Sequence, residues 1–360
     1  MPIFSWAHPQ PLNIVKHLPS DARIYLISDL HLGDGTRSDA FLGKDRELIQ
    51  FLERVREEKA HLVIVGDAID FHQAWAISRV LRAHARLFGE LSRLAARSEE
   101  DQRDDVAEED WEPLRVIYIW GNHDYDISLF KDLFCMEVCS TLHIGDVALV
   151  RHGYEYDPFI GPNLDQTHVA TRIHHLVERL LDTWIRLPLE NFYTPSNRLV
   201  FWLFHKLAVV IGLKDRLLKR VGLERFIGGA QDIVQYWAMN QIGDPGCLFE
   251  GIRAELASGT HRYLVTGHSH LPGIIEVMTD RYYVNTGSWT FSSAQYALWD
   301  GESFTVRDWI SGQTYGDAAY VPLSERRYHH LDFLAWWREN YMGWLRFRVG
   351  EEGRIPVSIR

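Results

Sequence analysis

Cysteine is scarce in this chain: Cys135, Cys139 and Cys247 are the only three among 360 residues. The number is odd and no pair has CxxC spacing, which argues against a disulfide framework or a zinc ribbon and for a reducing compartment. Long apolar runs are missing as well. No window reaches the roughly 18 apolar residues of a spanning helix, and the first residues lack the basic stretch and apolar core of a secretory signal. A cytoplasmic protein is expected, with peripheral contact to the inner face of a membrane left open. Positive charge is in deficit, since 38 Lys plus Arg against 49 Asp plus Glu give a formal net charge of -11. No nucleic-acid partner is therefore expected. The chain also has no Gly-rich Lys-Ser/Thr phosphate loop, no GxSxG elbow and no HExxH, so three common catalytic signatures drop out.

What is present is a repeated ending. The run Arg23 to Ser28 is apolar and β-branched, reads as a buried strand, and stops at Asp29-Leu-His31-Leu-Gly33. Strand alternation would place Asp29 and His31 on one face. From Lys44 to Lys59, Leu48, Phe51, Leu52 and Val55 recur at helical spacing, predicting an amphipathic helix that packs on the sheet. A second buried strand, Leu62 to Val65, ends in Gly66-Asp67-Ala-Ile-Asp70 and completes a β-α-β unit with a parallel pair. After a helical stretch at about Ala74 to Ala96, a third strand, Val116 to Trp120, ends in Gly121-Asn122-His123-Asp124. A fourth runs from Asp146 to His152-Gly153, and a fifth from Arg262 to Gly267-His268-Ser-His270. Short antiparallel strands are expected at 274–278, 281–286, 296–299 and 303–306, with a hairpin turn at Thr279-Asp280.

Other segments have a different character. Residues 1–22 carry Pro2, Pro9, Pro11 and Pro19 and read as an extended lead-in. Residues 98–112 hold nine acids against one base, the pattern of a solvated loop. Helical stretches near 167–186, 197–212 and 223–240 are rich in aromatics, and Asn163 to Gly228 has ten Lys plus Arg against six Asp plus Glu. This insertion reads as a lid, a membrane-surface patch or a helical subdomain with its own core. His174-His175 within it are adjacent and would point in different directions on a helix, so core or surface roles are expected for them rather than a metal site. The tail, with Trp336, Trp337 and Trp344 in a helix at about 331–345, reads as packing.

Collected, the strand ends offer Asp29, His31, Asp67, Asn122, His152, His268 and His270. Seven N and O donors without a thiolate exceed the needs of one four- to six-coordinate ion, and two ions sharing a bridge is the economical solution. Asp67, alone at its strand end, is the natural bridging carboxylate. Two ions about 3.5–4 Å apart activate a water and clamp both oxygens of an in-line displacement at phosphorus. His123 beside them would stabilise charge and protonate a departing alkoxide.

The motifs Asp29-x-His31, Gly66-Asp67-x-x-Asp70, Gly121-Asn122-His123-Asp124, His152-Gly153 and Gly267-His268-x-His270 resemble the calcineurin-like metallophosphoesterase superfamily in order, spacing and strand context. The resemblance covers about 22–155 and 260–308. It implies an α/β fold, a four-layer α/β/β/α sandwich, here as a domain over 22–308 interrupted by a helical insertion at about 160–258, with 309–360 a C-terminal extension packing on it. Carried over, the first ion would be held by Asp29, His31, Asp67 and His270, and the second by Asp67, Asn122, His152 and His268, with His123 as acid oriented by Asp70. Two divalent ions are implied, manganese first, with iron or zinc as alternatives. The Ser28-to-Leu32 opening and the insertion are similar to the bacterial enzymes that hydrolyse UDP-2,3-diacylglucosamine, although those usually carry arginine where this chain has His123. The expected function is a dinuclear metal-dependent phosphoester hydrolase acting on a phosphorylated small-molecule, nucleotide or lipid-linked diester or diphosphate. A serine/threonine-type phosphomonoesterase and a catalytically silent scaffold of the same fold are the alternatives.

Overall fold

The computed structural model describes residues 13–157 apart from 37–38, 42, 75, 101–114 and 129–135, then 176, 210, 213–214 and 216–223, and finally 246–319 apart from 271, 291–292 and 316. The acidic run from 101 onward, His174-His175, most of the insertion and the Trp-rich tail lie outside these residues.

Numbered in chain order, two seven-stranded sheets form the frame. The first takes, edge to edge, β1 (Val15–Leu18), β6 (Thr141–Ile144), β7 (Ala148–Val150), β8 (Tyr263–Thr266), β10 (Arg281–Asn285), β9 (Gly273–Met278) and β14 (Asp317–Ala319). The second takes β13 (Thr314–Tyr315), β12 (Phe304–Asp308), β11 (Gln295–Trp299), β2 (Ile24–Ile27), β3 (His61–Val65), β4 (Val116–Ile119) and β5 (Glu137–Cys139). Strands β2 to β5 are parallel, and β11 joins β2 antiparallel.

The layering follows from side-chain alternation along fully buried strands. Ile24, Leu26, Val63, Val65, Ile117 and Ile119 face Ile144, Val150, Val265 and Val284 of the other sheet. The intervening residues Tyr25, Ile27, Leu62, Ile64 and Tyr118 face outward, onto α1 (Asp45–Glu57) and α3 (Ala85–Glu100). Helix α1 has Asp45 and Glu47 in its first turn, Arg54 and Arg56 in its last, and buries Leu48, Phe51, Leu52 and Val55. Its charges suit the helix dipole and its apolar stripe suits the sheet. On the far side, Ile252 and Leu256 of α4 (Gly246–Ser258) cover Leu149, Leu264 and Tyr283. The order is helix, sheet, sheet, helix: the four-layer α/β/β/α sandwich.

Several boundaries differ from the sequence reading. Strands β1, β5, β6, β13 and β14 are not predicted; each has two to four residues and none carries the combination of apolar run and terminal motif that marks β2, β3, β4, β7 and β8. Helix α4 falls within the stretch assigned to the insertion, yet its apolar face belongs to the sandwich. Strands β13 and β14 close one edge of each sheet, so the sheets continue past 308 to Ala319. The single helix expected over 74–96 is two, α2 (Ile77–Ala83) and α3, with His84 at the junction.

The break has a local cause. The His84 ring is buried, with Nδ1 2.9 Å from Asp45 Oδ1 and Nε2 3.1 Å from Asp39 Oδ2. It ties the loop after Gly33 to the start of α1. Burial alone would lower its pKa, but hydrogen bonds to Asp39 and Asp45 outweigh it and raise the imidazole to about 9. A raised folded-state value means that the stabilisation is complete below the ordinary histidine value of about 6.5 and is lost as pH rises through 9. Chemical denaturation should show stability falling by on the order of 2 kcal/mol between pH 6.5 and 9.5, the partial exposure of Asp45 reducing the full linkage value. The slope should flatten in His84→Gln, and an unchanged slope would contradict the clamp.

Candidate metal centre

All five motif endings meet at one end of the two sheets. Asp29 and His31 follow β2, Asp67 and Asp70 follow β3, and Asn122 and His123 follow β4 of the second sheet. His152 follows β7, and His268 and His270 follow β8 of the first. Asp29 and His31 lie beyond the end of β2, so strand alternation is not what brings them together. Instead, Asp29, His31, Asp67, His268 and His270 adopt φ of 52°, 49°, 51°, 61° and 58°. This left-handed region is uncommon for residues with a Cβ and is entered most readily by Asp, Asn and His. Each such residue reverses the chain just past its strand and aims a donor inward.

The donors are close. His270 Nε2 is 3.1 Å from Asp29 Oδ1, and His31 Nε2 is 3.8 Å from both Asp29 Oδ1 and Asp67 Oδ2. Asp67 Oδ2 is 3.2 Å from His152 Nε2, which is also 3.2 Å from Asn122 Oδ1. His152 donates from Nδ1 to the Val65 carbonyl at 2.8 Å, which leaves Nε2 to the cluster. Asp29, His31 and His270 form one set whose ligand atoms lie within 4.8 Å of each other, and Asp67, His152 and His268 form another.

Space at this end is made by glycine. A Cβ on Gly66, whose φ is +83°, would run into the His152 ring, and one on Gly121 would run into the Asp67 carboxylate. The ligands can close on one another only because these two positions are bare.

Electrostatics points the same way. Burial would raise Asp29, but His270 and then His31 and His152 hold its carboxyl well below the usual range. Asp67 is likewise held low by His152, His123 and His31 against the effect of burial. Burial would lower the imidazoles, yet the carboxylates around them raise His31 to about 9 and His152 to about 10. Asp29 Oδ1 and both ring nitrogens of His31 are buried and make no hydrogen bond among the described residues. Converging carboxylate and imidazole donors, with these atoms left uncommitted, are what a divalent cation requires. The residues fit such ions.

His123 sits beside this cluster. Its Nδ1 is 3.1 Å from Asp70 Oδ1, its backbone N–H donates to Asp67 Oδ1 at 2.7 Å, and its ring meets His31 edge-on. Its side chain is 15% exposed, the most solvent contact that this part of the cluster allows beside the buried Asp70 and His31. Two supporting carboxylates were given no role by the sequence: Asp124, which closes the third motif, and Asp157, which lies in none. Asp124 accepts hydrogen bonds from the backbone N–H of Gly121 and Ala68 and from the Tyr118 hydroxyl, locking the third loop to the second. Burial and the nearby Asp67 charge raise it to about 6. Asp157, 4% exposed, places Oδ2 3.2 Å from His268 Nε2. No periodicity marks it; only its position five residues beyond His152 would have suggested it. Asn285 donates from Nδ2 to the Gly267 carbonyl at 2.6 Å and to Ser269 Oγ at 3.0 Å, bracing the His268 loop. Tyr154 is buried, and Tyr156 packs against Gly251 of α4.

Residues 22–206 match the calcineurin-like phosphoesterase family. The chain belongs to this family. It is accordingly a metal-dependent phosphoester hydrolase. Among curated proteins it is similar to the UDP-2,3-diacylglucosamine hydrolase of Porphyromonas gingivalis, 23% identical over 301 residues that cover 79% of this chain and 97% of that protein. Among solved structures it matches a dimetal phosphatase from Danio rerio, with 15% identity, a TM-score of 0.33, and 80% and 96% of the two chains covered. It also matches a conserved protein of Streptococcus pneumoniae TIGR4 described as a predicted phosphoesterase, with 14% identity, a TM-score of 0.27, and 80% and 88% covered.

A carboxylate behind a metal-binding imidazole fixes its tautomer and raises its basicity. Asp157→Asn should therefore weaken metal binding by about 10- to 100-fold in calorimetric titration while the melting temperature of the metal-free protein changes little. Unchanged affinity would show Asp157 to be packing only.

Proposed function

We propose that the chain hydrolyses a lipid-linked nucleoside diphosphate of the UDP-2,3-diacylglucosamine class, using two divalent cations. Asp29, His31, Asp67 and His270 would hold the first, and Asp67, Asn122, His152 and His268 the second, with manganese preferred and iron or zinc as alternatives. When bound, such ions lower the pKa of water and neutralise phosphate oxygens. The chain's own residues do the rest. Asn122 and Asp67 orient the cluster, Asp70 fixes His123 through Nδ1, and His123 presents its other nitrogen to the group that departs.

The observation that carries the substrate class is the similarity to the P. gingivalis enzyme along nearly its whole length. The insertion supports it. Val210, Leu213, Leu217 and Val221 are 57–61% exposed at three- and four-residue spacing, on a mostly helical segment that also holds Lys214, Arg216, Lys219 and Arg220. Apolar area beside cations suits acyl chains next to phosphates. Among the described residues no helix is long and apolar enough to cross a membrane, and contact at the membrane surface is the corresponding proposal. Reversing these four charges should reduce binding to anionic vesicles and turnover of the lipid substrate about tenfold or more, while a short aryl phosphate is hydrolysed as before. Full vesicle binding and lipid turnover in that variant would refute the role of the insertion.

One observation favours a second reading, a phosphomonoesterase of alkyl esters. A departing phosphate is already a good leaving group, whereas an alkoxide needs a proton, and the His123–Asp70 pair is built to deliver one. His123→Ala separates the two. For alkyl phosphate as the natural substrate, kcat should fall by about 10²- to 10⁴-fold; for a diphosphate, by much less. Both ions should remain bound in either case, while Asp29→Ala should lose metal occupancy. Near-normal activity of Asp29→Ala at limiting metal would overturn the assignment.

A further inference from the structure

A group of donors at this end of the sheets is left over once the two-ion centre has been assigned. Asp70, His72 and His123 each offer one ligand atom, and the three atoms lie within 4.8 Å of one another. They share no residue with the Asp29–His31–His270 set or with the Asp67–His152–His268 set, so they can be filled while both of those are full. His123 also falls in a group with His31 and Asp67, but those two are committed to the centre itself.

His72 has a defined position there. It is 2% exposed, its backbone N–H donates to Asp70 Oδ1 at 3.1 Å, and its ring centre is 4.5 Å from that of His123 with the planes tilted by 45°. The Gln73 N–H holds the same Asp70 oxygen at 3.0 Å. A fixed carboxylate thus has two imidazoles beside it, one on its own loop and one from the loop after β4. Two nitrogens and one oxygen from the protein, with water as the fourth ligand, would make a donor set that zinc accepts readily in tetrahedral form. Manganese binds such a set more weakly and asks for six ligands.

We propose that Asp70, His72 and His123 form a third divalent-cation site that prefers zinc, and that filling it withdraws His123 from the reaction and slows hydrolysis. The first half of the proposal rests on the donor geometry alone. The second half rests on the reading of His123 as the group facing the departing oxygen. A nitrogen that ligates an ion has no lone pair for a proton, so the metal-bound imidazole cannot become the doubly protonated acid, and its bond to Asp70 is replaced by a bond to the ion. The enzyme would then need divalent metal at low concentration and be inhibited by zinc in excess.

The test compares the full-length chain with His72→Asn and with His72→Phe, which keeps aromatic volume in this buried position. Metal-free protein is titrated with zinc by calorimetry, and cobalt(II) absorption reports the coordination of each equivalent. Three zinc ions per chain are expected in the parent protein, the third weakest, and two in each variant. Hydrolysis of an aryl phosphate at limiting metal should be alike in all three proteins, whereas the zinc concentration for half-inhibition should rise by about tenfold or more in the variants. Equal stoichiometry in parent and variants would overturn the site. Loss of the third equivalent with inhibition unchanged would overturn its link to His123. If the parent protein shows no hydrolysis with any metal, the functional reading fails, and the stoichiometry still decides whether the site exists.

Discussion

Three carboxylates, Asp29, Asp67 and Asp70, are at most 2% exposed at the end of a two-sheet core, and the rest of the site is arranged around the need to satisfy them. A buried charge without partners costs several kcal/mol. Here each is met by a backbone N–H from another part of the chain or from its own turn: His268 donates to Asp29, His123 to Asp67, and His72 and Gln73 to Asp70. The first two bonds join residues far apart in sequence. The loops that carry the ligands are therefore stitched to one another by the ligands themselves, and the fold cannot close without bringing the donors together.

Backbone strain belongs to the same constraint. Non-glycine residues in the left-handed region cost roughly 1 kcal/mol or more each, and five of the seven candidate ligands are held there. Several kcal/mol together is a sizeable part of the 5–15 kcal/mol by which a domain is stable. The surroundings supply the compensation. Asp29, His31 and Leu32 donate their N–H groups to Gly66, Asp67 and Ala68 at 2.8–3.0 Å, so the turn after β2 continues the parallel pairing with β3 as a ladder of loop residues. Cations that bind the folded state alone would add to this stability in proportion to their concentration over the dissociation constant.

The motif-bearing parallel strands and their endings were legible because two signals coincide: a β-branched apolar run, and a polar motif at the point where it stops. The sandwich and the position of the donors follow from that coincidence. Short edge strands such as Glu137–Cys139 carry no such pattern, since three residues with mixed burial look like loop. The break at His84 was invisible because a histidine in an amphipathic stretch is compatible with a continuous helix; its two carboxylate partners come from a loop and from another helix. Asp157 and Asp124 act through contacts that only the tertiary structure creates. The expectation that strand alternation aligns Asp29 with His31 fails for a related reason. The donors lie past the pleat, and their direction is set by φ, which no spacing reveals.

The position of the segment between β7 and α4 has a consequence for how this end of the molecule can vary. It leaves the sandwich after Asp157 and returns through α4 to β8, and its two roots are bonded to each other: Gly267 donates to the His152 carbonyl at 2.9 Å, Arg151 to Val265 at 3.1 Å, and Asp157 meets His268. The parallel pair β7 and β8 thus stays in register whatever lies between. Sequence inserted here leaves the sandwich five residues after His152 and re-enters it through α4, so it can vary without altering the strands that hold the cluster. The strand ends carry the same motifs whatever sequence lies between them, which is why the reaction class is legible in the motifs while the substrate is a separate proposal.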